Sequence, residues 1–452
     1  MNIIIVGCGK IGALLTEQLC MEGHNVSIID LDRDIVKSVS NRYDVLGVVG
    51  NGAVSTTLID AGIEKANLLI AMTGKDELNL MCCLIAKKIS NCQTISRMQN
   101  PQYSKQINII KEELGLSMTI NPEYVAAKEV AKLLRFPSAV KVETFAKGRV
   151  EILKYKIPTD SKLQNLKLYE ISSKLNCNVL VCAVERGQEV IIPNGQFQLM
   201  EGDLISIVAT PQKANEFFHK LGVVKGKVKN IMIVGGGGIS YYLVKQLENM
   251  GIGVTIIEKN EERCRFLSEE LSKAVVIHGD GINQDILDEE GIKNIDAFAA
   301  MTNLDEVNIL MTLYAKTQAN AKVITKVHTI TYSDVIESMK LDSIICPKNI
   351  VAECVIQYVR AMQNSIGSNV ETLYKIIENK AEALEFIVRR NSEIIGVPLE
   401  KLKLRDGVII SCIHRNNTII IPKGKDTIQL GDSVIIVTKK SGMDDITDIL
   451  EK

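Results

Sequence analysis

Six residues near the start of the chain, Gly7-Cys8-Gly9-Lys10-Ile11-Gly12, have the types and the spacing to hold a phosphate. In a G-x-G-x-x-G turn the first glycine permits the tight bend and the second lets the backbone approach a pyrophosphate. The third lets the following helix lie close on its strand. The N–H groups left unpaired in that helix's first turn, at the positive end of its dipole, complete an anion site. Asp30 follows at the spacing where a carboxylate bonds a ribose diol. A 2′-phosphate would meet that carboxylate as a like charge, so the pattern favours NAD over NADP.

A glycine pattern is informative only in context. Here Asn2-Ile-Ile-Ile-Val6 is an apolar run of strand length, and Ile11, Leu14, Leu15 and Leu19 recur on one face of a helix behind the turn. A second strand, Asn25-Val-Ser-Ile-Ile29, ends at Asp30. Further strands are expected at 45–49, 68–72, 94–98 and 117–120. The intervening helices are read at about 33–40, in a short segment capped by Ser55, from 77 to about 88, and up to about 114. Asn121-Pro122 opens a last helix to Leu134, with proline at a first-turn position where its missing N–H costs nothing. Six strands alternating with helices imply a doubly wound parallel sheet. From about Gly148 to Leu221 short strands and Gly/Pro/Asn turns take over, predicting a small α+β lobe.

The chain then repeats itself. Asn230-Ile-Met-Ile-Val234 leads into Gly235-Gly236-Gly237-Gly238-Ile239-Ser240, and Glu258 stands where Asp30 stood, both at an offset of 228. At an offset of 229, Gly52 returns as Gly281, Thr73 as Thr302, Asn79 as Asn308 and Tyr103 as Tyr332. Pro122 and Arg135 return at an offset of 225 as Pro347 and Arg360. Pro193, Gly195 and Gly202-Asp203 of the small lobe return as Pro422, Gly424 and Gly431-Asp432. The expected fold is therefore α/β: two doubly wound, parallel-sheet, Rossmann-like domains, each followed by a small α+β lobe. The boundaries are read as 1–135, 136–222, 228–362 and 368–452, with a basic link at Lys225–Lys229.

Composition narrows the function. Fifty-three basic and fifty-four acidic residues give a net charge of −1, which supplies neither a nucleic-acid footprint nor a polybasic membrane anchor. No apolar run approaches the ~18 residues that span a bilayer, and the first residues read as a strand and not as a targeting signal. Any membrane role is expected to come through a partner. Eleven cysteines occur without metal-ligand spacing; Cys8, Cys20, Cys82, Cys83, Cys92, Cys182 and Cys412 sit in apolar periodic segments and read as small hydrophobes in a reducing compartment. No metal site is expected.

Residues Gly-x-Gly-x-x-Gly, Asn51-Gly52-Ala53, Thr73-x-x-Asp-Glu-x-Asn79 and Arg97-x-x-Asn-Pro-x-Tyr103, with the fourfold lobe order, resemble the cytosolic NAD-binding regulatory subunit of Trk potassium uptake systems, the TrkA family. That resemblance covers the whole chain. It implies alternating N-lobes and C-lobes of the RCK type and binding of NAD(H), or of ATP or ADP, in the N-lobes. It also implies a homo-oligomeric ring on the inner face of the plasma membrane, under a Trk-type potassium pore subunit that the ring gates. Carried over by position, Gly7, Cys8, Gly9, Lys10, Ile11 and Gly12 hold the phosphates and Asp30 the adenosine ribose. Asn51 and Gly52 border the adenine, Thr73 and Gly74 close the cleft, and Arg97 reaches phosphate or the second ribose as a fork-shaped donor. A plainer role for Arg97 is a surface pair with Asp76 or Glu77.

The second site comprises Gly235, Gly236, Gly237, Gly238, Ile239, Glu258, Asp280, Gly281, Thr302 and Lys326, and it departs from the pattern. Ser240 replaces the third glycine, which sets the helix farther from its strand. Lys326 replaces the fork of Arg97 with a point charge. An altered nucleotide choice is expected there. The competing reading is an NAD-dependent oxidoreductase, which needs a proton donor or acceptor beside the nicotinamide. None of the five histidines, at 24, 219, 278, 328 and 414, recurs in both halves, so no catalytic residue is expected.

Overall fold

The computed structural model describes residues 1–111, 113–145, 149–222, 228–329, 339, 341, 343–365, 370–377, 380–439, 443 and 445–451. Strands β1 (Asn2–Val6), β2 (Asn25–Asp30), β3 (Leu46–Val49), β4 (Leu68–Ala71), β5 (Gln93–Arg97) and β6 (Met118–Ile120) form one parallel sheet in the order 3-2-1-4-5-6. The order reverses between β1 and β4, which opens a crevice at their carboxyl ends. The antiparallel sheet of the first small lobe contains β7 (Lys141–Phe145), β8 (Val150–Lys156), β9 (Leu180–Arg186), β10 (Glu189–Ile191) and β11 (Leu204–Ala209), in the order 10-9-11-8-7.

The second half repeats both sheets. Strands β12 (Asn230–Val234), β13 (Gly253–Glu258), β14 (Ala274–His278), β15 (Ala297–Ala300), β16 (Lys322–Lys326) and β17 (Ser343–Ile345) pair in the order 14-13-12-15-16-17. Strands β18 (Val370–Ile377), β19 (Ala381–Ile387), β20 (Val408–Arg415), β21 (Thr418–Ile420) and β22 (Ser433–Thr438) follow in the order 18-19-22-20-21. The two orders match strand for strand, so the duplication read from the residues extends to topology. Tyr332, expected to match Tyr103, lies outside the described residues, as do residues 225–227 of the link.

Local differences have local reasons. Ser55 does not cap its helix: it is the first residue of Ser55–Asp60, and Val54 takes the cap position with no side-chain bond. Strand β7 is absent from the sequence reading because only Val142 and Phe145 of its five residues are buried, a weak alternation beside the charged Lys141 and Glu143. The second helix runs Arg33–Tyr43, longer than expected, and Asp32 caps it by accepting from the Asp34 and Ile35 N–H groups.

The helices after β6 and β17 cross between the halves. Helix Pro122–Arg135 lies on Gly238–Met250 of the second large lobe, and Pro347–Ser365 lies on Lys10–Met21 of the first. Leu15 and Leu19 share a core with Val351, Ala352, Val355 and Val359. Ala126 and Val130 share another with Leu243, Val244 and Leu247. Burying one Leu or Val contributes roughly 1.5–3 kcal/mol, so each crossover carries several side chains' worth of apolar burial between the halves. Arg360 closes one contact with an ion pair to Glu22, both side chains largely buried. The small lobes meet as well: Phe145, Ile152 and Val208 join Ala383, Cys412 and Ile435 in one core. Among the described residues no helix is long and apolar enough to cross a membrane.

Candidate functional site

In the first half the glycine turn is fixed from both sides. Gly7 has φ +90°, and a Cβ there would fall 2.8 Å from the Thr73 nitrogen at the end of β4. A Cβ on Gly12 would collide with the carbonyl oxygen of Gly7, so helix and turn meet backbone to backbone. Gly9 differs: a Cβ there would meet nothing within 4 Å, so this residue faces open space at the N-cap of helix Lys10–Met21. Lys10 is exposed and Ile11 half-buried beside it. The Asp30 carboxylate accepts from the Cys8 N–H at 2.6 Å and the Asp32 N–H at 3.0 Å, which holds it at the mouth of the cradle. Gly50 N–H bonds the Asp30 carbonyl, bringing the next loop alongside.

In that loop Asn51 is exposed and its side chain accepts from Ala53 N–H at 2.9 Å. Gly52 is buried because a Cβ would collide with Val6. Across the crevice Thr73 and Gly74 follow the end of β4. Arg97 comes to the same place, donating from Nη1 to the Thr73 carbonyl at 3.3 Å. Of the acids named as its alternative partners, Asp76 accepts from the Gln99 and Asn100 N–H groups while its charge still acts on Arg97, and Glu77 accepts from the Tyr103 hydroxyl. The Arg97 Nε is buried without a hydrogen-bond partner among the described residues. The structure thus brings the Gly7–Gly9 turn, Asp30, the loop at Asn51–Gly52, Thr73 and Arg97 to the carboxyl ends of the sheet, with Ile11 and Gly12 packed behind them.

One residue that organises this crevice went without a role in the sequence reading. Asn79, fully buried, accepts from the Thr73 N–H and hydroxyl at 2.9 and 2.7 Å and donates to the Thr73 and Arg97 carbonyls at 3.2 and 3.1 Å. It ties the ends of β4 and β5 together. Asn308 does the same for Thr302 and Lys326, with bonds of 3.0, 2.6, 3.1 and 2.9 Å. Its signal was the Thr-x5-Asn spacing, present in both halves.

The second cleft keeps the plan and changes its fittings. Gly235 has φ +102°, Gly237 again faces open space, and the Glu258 carboxylate accepts from the Gly236 N–H at 2.6 Å and the Asn260 N–H at 2.8 Å. Ser240 is fully buried where Gly12 admits no Cβ, and its hydroxyl donates to the Gly235 carbonyl at 2.5 Å. The contact that excludes a side chain in one half is a hydrogen bond in the other. Lys326 is buried and bonds Asn303 Oδ1 at 3.0 Å; burial and lack of water pull its pKa below the usual lysine value. Asp280 pairs with Lys259 at 2.8 Å, and Gly281 lies tight on Val234 as Gly52 does on Val6. A cavity of about 280 Å³ opens between Glu258, Asp280 and Thr302, with Gly235 and Gly237 in its wall. Ile239 is buried in the helix behind it.

The thiol and imidazole groups described near the clefts are buried or hydrogen-bonded. The Cys8 thiol, closest to the first cradle, is buried, and desolvation pushes its pKa up to about 12. His328 bonds Asp305, and His278 bonds the Lys259 carbonyl. Among the described residues no group of acids, cysteines and histidines is arranged to hold a metal ion.

Comparison with known proteins agrees with this plan. Residues 3–122 and 231–347 match the TrkA-N domain, and residues 152–222 and 383–451 match the TrkA-C domain. The chain is 31% identical over 454 residues to Trk system potassium uptake protein TrkA homolog 1 of Methanosarcina mazei, covering 99% of each. It is 32% identical to the TrkA homolog of Archaeoglobus fulgidus, covering 99% of this chain and all of that one. The GsuK RCK domain shares the fold, with a TM-score of 0.63 at 15% identity over 97% of this chain and 92% of its own. A GsuK channel bound to NAD is equally similar in fold, with a TM-score of 0.63 over 97% and 77%. Relatives of this length, matching from end to end and named for potassium uptake, place the chain plainly: it belongs to the TrkA family, a component of potassium transport and not an enzyme.

Proposed function

We propose that the chain is a nucleotide-sensing regulatory subunit that binds NAD(H), or an adenine nucleotide, and gates a Trk-type pore from the inner face of the plasma membrane as part of a homo-oligomeric ring. The observation that carries this reading is the first cradle. Gly9 leaves open space at a helix N-terminus while a hydrogen-bonded carboxylate, Asp30, stands at its mouth. Those features fit a pyrophosphate joined to a ribose diol. The backbone of Gly7–Ile11 would hold the phosphates and Asp30 the ribose, with Asn51 and Gly52 beside the base. Thr73, Gly74 and Arg97 would line the far end. The NAD named in a GsuK structure supports this choice of ligand, and so do relatives named as potassium uptake proteins for the partner.

The nucleotide acts here as a ligand whose binding favours one arrangement of lobes over another. It shifts that balance only by its differential affinity, and coupling of about 1–3 kcal/mol is typical. The crossover helices Pro122–Arg135 and Pro347–Ser365 are the elements that would carry a change in one large lobe to the other. Calorimetric titration of the full chain with NAD⁺, NADH, ADP and ATP tests the reading: saturable binding is expected, with no turnover at 340 nm when metabolites are added. Heat of dilution alone for all four would overturn it.

A further inference from the structure

The crossover helix that lies on Gly238–Met250 begins at Pro122, behind its cap Asn121, and its first acid, Glu123, lands on the second glycine turn. A Cβ placed on Gly238 would collide with both carboxylate oxygens of Glu123. A carboxylate from the other half thus takes the place that a side chain at 238 would fill. That place is the start of helix Gly238–Met250, where unpaired N–H groups attract an anion. Burial raises the Glu123 carboxyl above its usual range; Arg263, Lys326 and Arg97 oppose that rise, and Asp76 adds to it. Neighbouring contacts hold the helix start in position. Asn121 accepts from the Glu123 N–H at 3.0 Å and donates to the Tyr242 hydroxyl at 2.9 Å, and Tyr124 meets the Tyr242 ring edge-on.

The matching positions of the repeat carry the opposite sign. Lys10 matches Gly238 at the repeat offset of 228, and Lys348 matches Glu123 at the offset of 225. Two positions that carry lysine in one set carry glycine and a carboxylate in the other. The cavity of the second cleft agrees: its wall runs from Gly237 past Glu258 and Asp280 to Thr302, the ribose and base side, and does not include Gly238.

Building on the reading of both clefts as nucleotide sites, we propose that Glu123 is a specificity-determining residue. It occupies the phosphate position of the second cleft from the opposite half, so that this cleft selects adenosine and rejects nucleotides whose phosphates must reach Gly237–Gly238. A pyrophosphate brought to Gly237–Gly238 meets a like charge already seated on the helix N-terminus. A nucleoside needs only the Glu258 carboxylate and the cavity beside it. Selection arises from a group on another lobe and not from the glycine pattern itself.

The test uses the full chain carrying Asp30→Ala, which removes the first cleft's ribose carboxylate, titrated with adenosine, AMP, ADP and NAD⁺. With Glu123 intact, adenosine is expected to bind more tightly than AMP, ADP and NAD⁺. Adding Glu123→Gln, which keeps the shape and removes the charge, is expected to tighten AMP, ADP and NAD⁺ at least tenfold and leave adenosine within twofold. Glu123→Asp, which withdraws the carboxylate by one methylene, is expected to fall between them, with unfolding midpoints confirming that each variant is folded. An ADP-to-adenosine affinity ratio that Glu123→Gln does not change would overturn the role of Glu123 alone. Adenosine failing to bind in any variant would overturn that role together with nucleotide binding in the second cleft, while leaving the first cleft to its own titration.

Discussion

The two large lobes share a strand order, a glycine turn, a hydrogen-bonded acid and a buried Thr–Asn clasp, yet they differ where a ligand's charge would lie. In the first, a bare Gly9 and the exposed Lys10 stand at the helix start. In the second, an equally bare Gly237 is followed by Gly238 with the Glu123 carboxylate against it. The fold is kept by contacts that tolerate no volume, such as Gly52 on Val6 and Gly281 on Val234. The chemistry varies at positions that face the crevice. Duplicated architecture and divergent charge are therefore separable, and substitution at paired positions shows which is which.

The largest effect is expected at the arginine twins. Arg135 pairs with Glu151, whose side chain is fully buried, within its own half, whereas Arg360 pairs with Glu22 across halves. Arg135→Ala strands a buried carboxylate and should cost about 3 kcal/mol. Arg360→Ala strands a Glu22 carboxylate that is largely buried but keeps some contact with water, and should cost about 2 kcal/mol, the value of a hydrogen bond to a charged group. Urea midpoints measure both, and equal losses would erase the distinction.

Next comes Gly12→Ala, expected to destabilise by about 2–3 kcal/mol because the new methyl meets the Gly7 carbonyl. Affinity is the third readout. Asp30→Ala should weaken NAD⁺ binding in the first cleft by roughly 10–100-fold, the value of a charged hydrogen bond of about 1.5–3 kcal/mol; Glu258→Ala should leave that cleft unchanged. A matching loss from Glu258→Ala would mean that the clefts do not bind separately. The smallest effect is expected from Ser240→Ala, about 1 kcal/mol for one buried hydrogen bond to Gly235, read from the same urea curves as Gly12→Ala.

Much of this was legible in the residues because strands and glycine turns are local codes. Ile3, Ile4 and Ile5 with Gly7 announce β1 and its turn, and a fixed offset announces the second copy. The role of Arg97 as a crevice residue was half legible. Its spacing puts it at the end of β5, but only the structure shows Asp76 and Glu77 bound elsewhere. Glu123 was illegible as a site residue. After Asn-Pro it reads as an ordinary acid in a first turn, and its meaning comes from a helix more than a hundred positions away that the sheet topology brings beside it. The weak strand β7 was lost for a related reason. Its pairing with β8 is supplied by the lobe, and little of it is written in its own alternation.

The exchange of helices between halves has one more consequence. Two separate identical copies docked by such a reciprocal exchange would be a twofold pair in which every mutation arrives twice and any charge placed on one side faces its own image on the other. Tethered in a single polypeptide, the same docking is independent of dilution, and its two mirror positions are free to drift apart. Only a fused pair can keep an acid at 123 and a base at 348, and so let one ancestral seam serve as two unlike doors.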